Sequence, residues 1–413
     1  MTDEAVQVGV RRVPGLDLAA PLPDSDPALL ERIRAEIRER GPMPFARFMA
    51  LALYDPDAGY YARGDDRGPG RSGDFLTAPE GHAIFGWAIA RQLEEVWDRL
   101  GRPAPFVVRE HGAGSGGLAL GILDGLRRSG SPLFEAIRYE VVEVGEGKVA
   151  AIRERLDAAG LADRLETATD GPAPGAVLAN ELLDALPVHR VEGGPSDADG
   201  VRLLERFVDL DGDALGTSLG PPSTPALAAR LASEGVALAP GQAAEICLGI
   251  DDWVRTATRP LERGLLLVID YGAEARDLYA PSRGSTLRAY HRHRVHDDPL
   301  VAIGRQDLTA HVDLTALDRA ATAEGLEPLG RATQAAFLAS LGIGELLVGL
   351  QAEPGTTLES YLAARSAVAR MLDPRATGGF AVRAHGRGLP ARPALRGFAG
   401  GAAPLGASPD PNR

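Results

Sequence analysis

The chain has 413 residues, 45% hydrophobic and 24% charged, with a formal net charge of −13 at pH 7. These values suit a water-soluble protein with a sizeable core and argue against a general nucleic-acid or anionic-membrane binder. Cys247 is the single cysteine, which excludes an intramolecular disulfide and a cysteine-based zinc cluster and points to a reducing, cytoplasmic setting.

Among 44 basic residues only Lys148 is a lysine. With abundant Ala, Gly and Pro, this reads as the codon bias of a GC-rich bacterial genome, not as a phosphate-binding feature. The N-terminus lacks a signal peptide's apolar core, and no apolar run reaches membrane-spanning length. No nucleic-acid partner and no membrane insertion are expected.

Residues 1–27 are polar and Pro-rich, and read as a disordered tail. Residues 28–103 read as a helical cap or lid region. Leu29, Leu30, Ile33 and Ile37 form one apolar stripe, and Phe45, Phe48, Met49 and Leu53 form a second. Tyr54 to Tyr61 is a turn flanked by aromatics. A Gly/Asp/Arg loop follows and ends in Gly73-Asp74-Phe75-Leu76-Thr77-Ala78-Pro79-Glu80. It is read either as a solvated loop or as a lid on a ligand site.

The chain is organised around Phe106 to Leu118. An apolar run, Glu110, a glycine-rich turn and then a helical pattern through Leu118, Ile122, Leu123 and Leu126 predict strand, tight turn and helix. Gly112, Gly114 and Gly117 satisfy the dinucleotide pattern G-x-G-x-x-G. Glu110-x-Gly112-x-Gly114-x-Gly116 satisfies equally the first motif of a class I methyltransferase that uses S-adenosylmethionine (SAM). A ligand-free loop is the third reading.

A second strand, Ile137 to Glu143, ends in an acid spaced for hydrogen bonding to a ribose diol. A helix near 146–159 and a short strand near 164–168 complete a β-α-β-α-β run, which implies a parallel sheet. A fourth strand, Gly175 to Ala179, enters Asn180-Glu181-Leu182-Leu183-Asp184-Ala185-Leu186-Pro187. Residues 188–262 read as an insertion with a hairpin at Leu203 to Leu210 and helices near 225–234 and 251–262. The apolar run before Asp270 returns to the sheet. Residues 104–390 form the main domain, and 391–413 a second disordered tail.

Asn180, Glu181 and Asp184 follow the carboxyl end of a strand, where open parallel sheets place ligands. Two carboxylates three residues apart can hold a guanidinium bidentately, and one can take its proton. They can equally be acids that complement a helix N-terminus. In His291 to His296, alternating residues share one strand face, but no acids or cysteines stand at metal-ligand spacing, so no metal site is assigned. His311 is a functional candidate or a residue packed beneath a helix cap at Asp313.

Several stretches together resemble one family. They are Asp55-Pro56 to Tyr61, Gly73-Asp74 to Glu80 with Phe85-Gly86, Glu110 to Leu118, and Asn180-Glu181 to Val188. Ile269-Asp270-Tyr271-Gly272, Thr286-Leu287-Arg288 with Tyr290 and His293, and Asp307 to Asp313 complete the set. From about residue 30 to 345 the chain resembles the MidA family of SAM-dependent methyltransferases, which includes a mitochondrial complex I assembly-factor arginine methyltransferase.

The resemblance implies a class I α/β, Rossmann-like methyltransferase fold with a helical N-terminal extension and an insertion after the fourth strand. It implies SAM held by Glu110, Gly112, Ala113, Gly114, Gly116 and Glu143, with Asp74 on the covering loop. Asn180, Glu181 and Asp184 would line the reaction side. The implied partner is a protein substrate, for the mitochondrial relatives a respiratory-complex subunit. The chain departs from the pattern at Ala113, at Ser115-Gly116-Gly117, where relatives carry arginine and Gly-Thr, and at Val144-Gly145-Glu146, where they carry a Ser-Pro pair. A small-molecule acceptor and a non-catalytic assembly factor are the alternatives.

Overall fold

The computed structural model describes residues 21–62, 78–166, 171–197, 200–292 and 294–400. Asp74, His293 and the loop motif from Gly73 to Thr77 lie outside the described residues.

Runs of Val, Ile, Leu and Ala, buried on both faces, become adjacent strands of a seven-stranded sheet. In chain order these are β1 (Phe106–His111), β2 (Ile137–Val142), β3 (Leu165–Glu166), β4 (Ala173–Asn180) and β5 (Leu261–Asp270). Then come β6 (Glu327–Thr333) and β7 (Ala381–Arg387). The order across the sheet is β6-β7-β5-β4-β1-β2-β3. β1 pairs in parallel with both β2 and β4, and β5 with β4. The chain winds outward in both directions from β1 and β4, so a crevice opens at their carboxyl ends.

The sheet is mixed, which corrects the all-parallel expectation. β7 runs antiparallel to both β5 and β6. Its sequence hid it, because Arg383 and His385 break the apolar pattern although both are fully buried. β1 and β2 carry a similar exception: Arg109 sits opposite Glu140 and pairs with it at 2.7 Å inside the sheet.

Helices α1 (Pro27–Arg40) and α2 (Phe45–Tyr54) share a core with α6 (Gly249–Thr258) and α7 (Leu314–Ala323), reached by Val177, Val268 and other strand residues. A second core holds α3 (Ile84–Arg99), α4 (Gly117–Ser129) and α5 (Glu146–Ala158). α3 and α4 cross so closely that a Cβ on Gly86 would stand 2.5 Å from the Gly121 backbone. The expected cap is therefore divided: α1 and α2 pack in one core, and α3 belongs to the main helical layer.

Residues 188–262 build most of a five-stranded sheet that also takes in Met43–Pro44. The expected hairpin at 203–210 is instead the interior of one long strand, Gly200–Asp211, flanked by His189–Asp197 and Ala214–Gly220. Alternating polarity marks a strand but does not locate the turn.

Residues 21–27 and 391–400, expected in the two tails, belong to the described fold. Asp26 caps α1 by accepting from the Ala28 and Leu29 N–H groups, and Ile303 N–H donates to Ser25 Oγ. At the other end Leu395 and Phe398 are buried, with Phe398 5.0 Å from the Phe337 ring. Among the described residues no single helix is long and apolar enough to cross a membrane.

Candidate active site

β1 must turn sharply to enter α4, and the loop does so on glycines. Gly112, Gly114 and Gly116 have φ of +70°, +59° and +82°, a region that disfavours a side chain. A Cβ on Gly112 would also lie 2.8 Å from Leu182 Cδ1. Bare backbone thus faces a cleft of about 350 Å³. Gly112, Ala113 and Gly114 line it together with Asn180, Glu181, Pro79, Glu80 and Glu110.

Glu110 is buried, and its Oε2 accepts from Tyr139 Oη at 2.6 Å. Burial pushes its pKa up to about 8 despite that hydrogen bond. Glu143 lies beyond the cleft lining. Its carboxylate accepts from the Gly114 and Val144 N–H groups, with Lys148 Nζ at 3.6 Å. Val142 and Val144 on either side are about two-fifths exposed. The ribose acid expected from the sequence is therefore turned onto the glycine loop, between two open apolar side chains.

The segment after β4 is held from the neighbouring strand. Asp270, at the end of β5, accepts at Oδ2 from the N–H groups of Leu182, Leu183 and Asp184, and at Oδ1 from Tyr271 N–H. This fixes Glu181 at a φ of +51°. The Glu181 carboxyl accepts from Asn180 Nδ2 at 3.3 Å and Ala78 N–H at 3.4 Å. Burial and the nearby Asp184 raise its pKa to about 8. Asp184 stands behind the cleft, buried and bonded to Tyr271, with its pKa raised by burial to about 6. Burial likewise pushes Asp270 well above the usual carboxylate range. Asn180 Oδ1 and Asp184 Oδ1 are buried without a hydrogen-bond partner.

His311 packs edge-on against Tyr271 at 5.3 Å, with Nδ1 2.8 Å from Arg283, while Asp313 caps α7. Asp313 is the helix cap expected of this stretch. The His291 ring meets the Arg305 carbonyl at 2.9 Å.

Residues 88–332 match a protein-family model described as "Putative S-adenosyl-L-methionine-dependent methyltransferase". The chain is 30% identical over 328 residues to the mitochondrial protein arginine methyltransferase NDUFAF7 homolog of Drosophila melanogaster, covering 72% of this chain and 71% of that one. It is 30% identical over 343 residues to human mitochondrial protein arginine methyltransferase NDUFAF7, covering 76% and 73%. The chain belongs to the MidA family of SAM-dependent methyltransferases.

The fold agrees. A Burkholderia thailandensis protein crystallised with S-adenosyl-homocysteine (SAH) superposes with a TM-score of 0.81 at 33% identity, covering 93% of this chain and 99% of that chain. SAM is the cofactor of this MidA-family chain. The residues fit it. A positive-φ loop lets the ligand approach backbone, and Asn180 offers an unused buried acceptor.

Of the residues singled out from the sequence, Glu110, Gly112, Ala113, Gly114, Asn180 and Glu181 meet in one cleft. Gly116 shapes the loop behind it, and Asp184 supports it from within. Sequence reasoning gave no role to Asp270, Tyr271, Glu80, Ser115 or Arg155. The available signal for Asp270 was an acid ending a fully apolar strand at a ligand-binding sheet edge.

Proposed function

We propose that this MidA-family enzyme methylates an arginine side chain of a protein. The observation that carries the reading is the Glu181 carboxyl, which lines the cleft with Asp184 and Asp270 stacked behind it. Among the described residues, the hydrogen-bond donors to Glu181 are Ala78 N–H and Asn180 Nδ2, neither of them a cation. A buried acid cluster of this kind favours a ligand that brings positive charge, and a guanidinium matches a carboxylate in both charge and plane.

SAM supplies a methyl group on a positively charged sulfur, which a nitrogen lone pair displaces. The protein's residues supply the nitrogen in reactive form. Glu181 orients the guanidinium and accepts the proton shed at that nitrogen, while Asp184 keeps negative charge behind it. Arrival of the cation draws the Glu181 pKa down from its raised value, so the carboxylate forms as the acceptor is seated.

Relatives at 30% identity carry the name protein arginine methyltransferase, which supports the same acceptor here. The resemblance suggests a respiratory-complex subunit as the protein concerned. A single, buried cysteine suits work in a reducing cytoplasm, which fractionation of source cells would test. The deciding experiment incubates the enzyme with methyl-labelled SAM and a lysate of its source, followed by hydrolysis of the protein fraction. Label in methylarginine is expected. Label confined to small molecules would overturn the reading.

A further inference from the structure

We infer that Glu80, Ser115 and Arg155 form the seat for the amino-acid end of the cofactor, with Glu80 taking the α-ammonium and Arg155 with Ser115 the α-carboxylate. The inference rests on the cleft being the SAM site and adds which half of the ligand it holds.

Glu80 and Ser115 both line the cleft. Ser115 Oγ donates to Glu80 Oε1, and Arg155 Nη1 reaches Glu80 Oε1 and Oε2 at 3.3 and 3.4 Å. The same guanidinium donates to the Ser115 carbonyl at 3.0 Å and to its hydroxyl. A carboxylate, a hydroxyl and a guanidinium thus stand side by side on the glycine loop. A pair of opposite charges at a ligand wall is the complement of a zwitterion: each ligand charge meets its opposite, and the pair's mutual contact is exchanged for two.

The remainder of the geometry assigns the ends. Glu143, suited to a ribose diol, lies outside this cleft between the exposed Val142 and Val144. The adenosine half belongs there, on an open apolar surface. The acid-rich cleft is left for the charged half. Glu80 also lies in the Ala78–Gly81 turn, whose Ala78 N–H donates to Glu181. Seating the amino-acid end therefore fixes the same turn that supports the proposed acceptor carboxylate.

The test is calorimetric titration of the full chain with SAH and with 5′-methylthioadenosine, which lacks the amino-acid end. Glu80→Gln and Arg155→Met are each expected to weaken SAH by about tenfold, the worth of one charge-assisted hydrogen bond. Both variants should bind 5′-methylthioadenosine as the wild type does, and Arg155→Lys should recover part of the SAH affinity. Equal losses for both ligands would overturn the inference and make the trio a latch on the loop. Unchanged SAH binding would overturn it too. Gly114→Val separates the underlying site reading: retention of both ligands by that variant would remove the site, whereas loss of both leaves the question to Glu80 and Arg155.

Discussion

The Asp270 carboxylate receives the Leu183 N–H at 2.8 Å across the gap between two neighbouring strands. Through this contact and its two companions, the end of β5 sets the shape of the turn that presents Glu181. The supporting residue is thus 87 positions from the segment it holds.

Replacing Asp270 by Ala strands these N–H groups inside the protein. Urea denaturation should show a loss of about 2–3 kcal/mol, the desolvation cost of such donors. Methyl transfer should fall further than SAH affinity, because Glu181 moves more than the glycine loop does. Equal falls in both would separate the turn from the acceptor side.

Glu181→Gln keeps shape and removes the base. Transfer is expected to slow by about 10²–10⁴-fold, the range for a positioned proton acceptor, with SAH affinity within about twofold of wild type. A variant that transfers at the wild-type rate would exclude Glu181 from proton transfer.

Glu110 gives a pH dependence. Its pKa in the fold is raised by burial from the ordinary 4.5 to about 8. The folded state therefore holds a proton that the unfolded chain releases, and the stability this contributes is present below pH 4.5 and lost as pH rises to about 8. Glu110→Gln, which has no proton to lose, should show a shallower decline in urea midpoint between pH 5 and pH 9. A wild-type curve parallel to the variant's would contradict the buried acid.

Arg383 tests the hidden strand. Its buried guanidinium meets Glu274 at 2.5 Å and Asp318 at 3.5 Å. Arg383→Ala should cost about 1–3 kcal/mol, because the two acids lose a buried partner but keep Arg331, 2.9 Å from Asp318 and 3.5 Å from Glu274. Arg383→Met, which fills the space, should cost less. A loss below 1 kcal/mol for the alanine variant, measured by denaturation, would show that the acids are otherwise compensated.

The sequence by itself determined what near neighbours encode. The apolar run, Glu110 and the glycines dictate strand, positive-φ turn and helix within thirteen residues, because each step follows from local backbone sterics and periodicity. The same locality exposed Asn180 and Glu181 at a strand's carboxyl end. Tertiary structure alone decided the rest. Only packing could turn Glu143 onto Gly114, bring Glu80 against Ser115 and Arg155, bond Asp270 to the turn that carries Glu181, and bury Arg383 in an antiparallel strand. These contacts join residues 29 to 109 positions apart. A charged side chain inside a fold is stabilised by partners that no local pattern predicts.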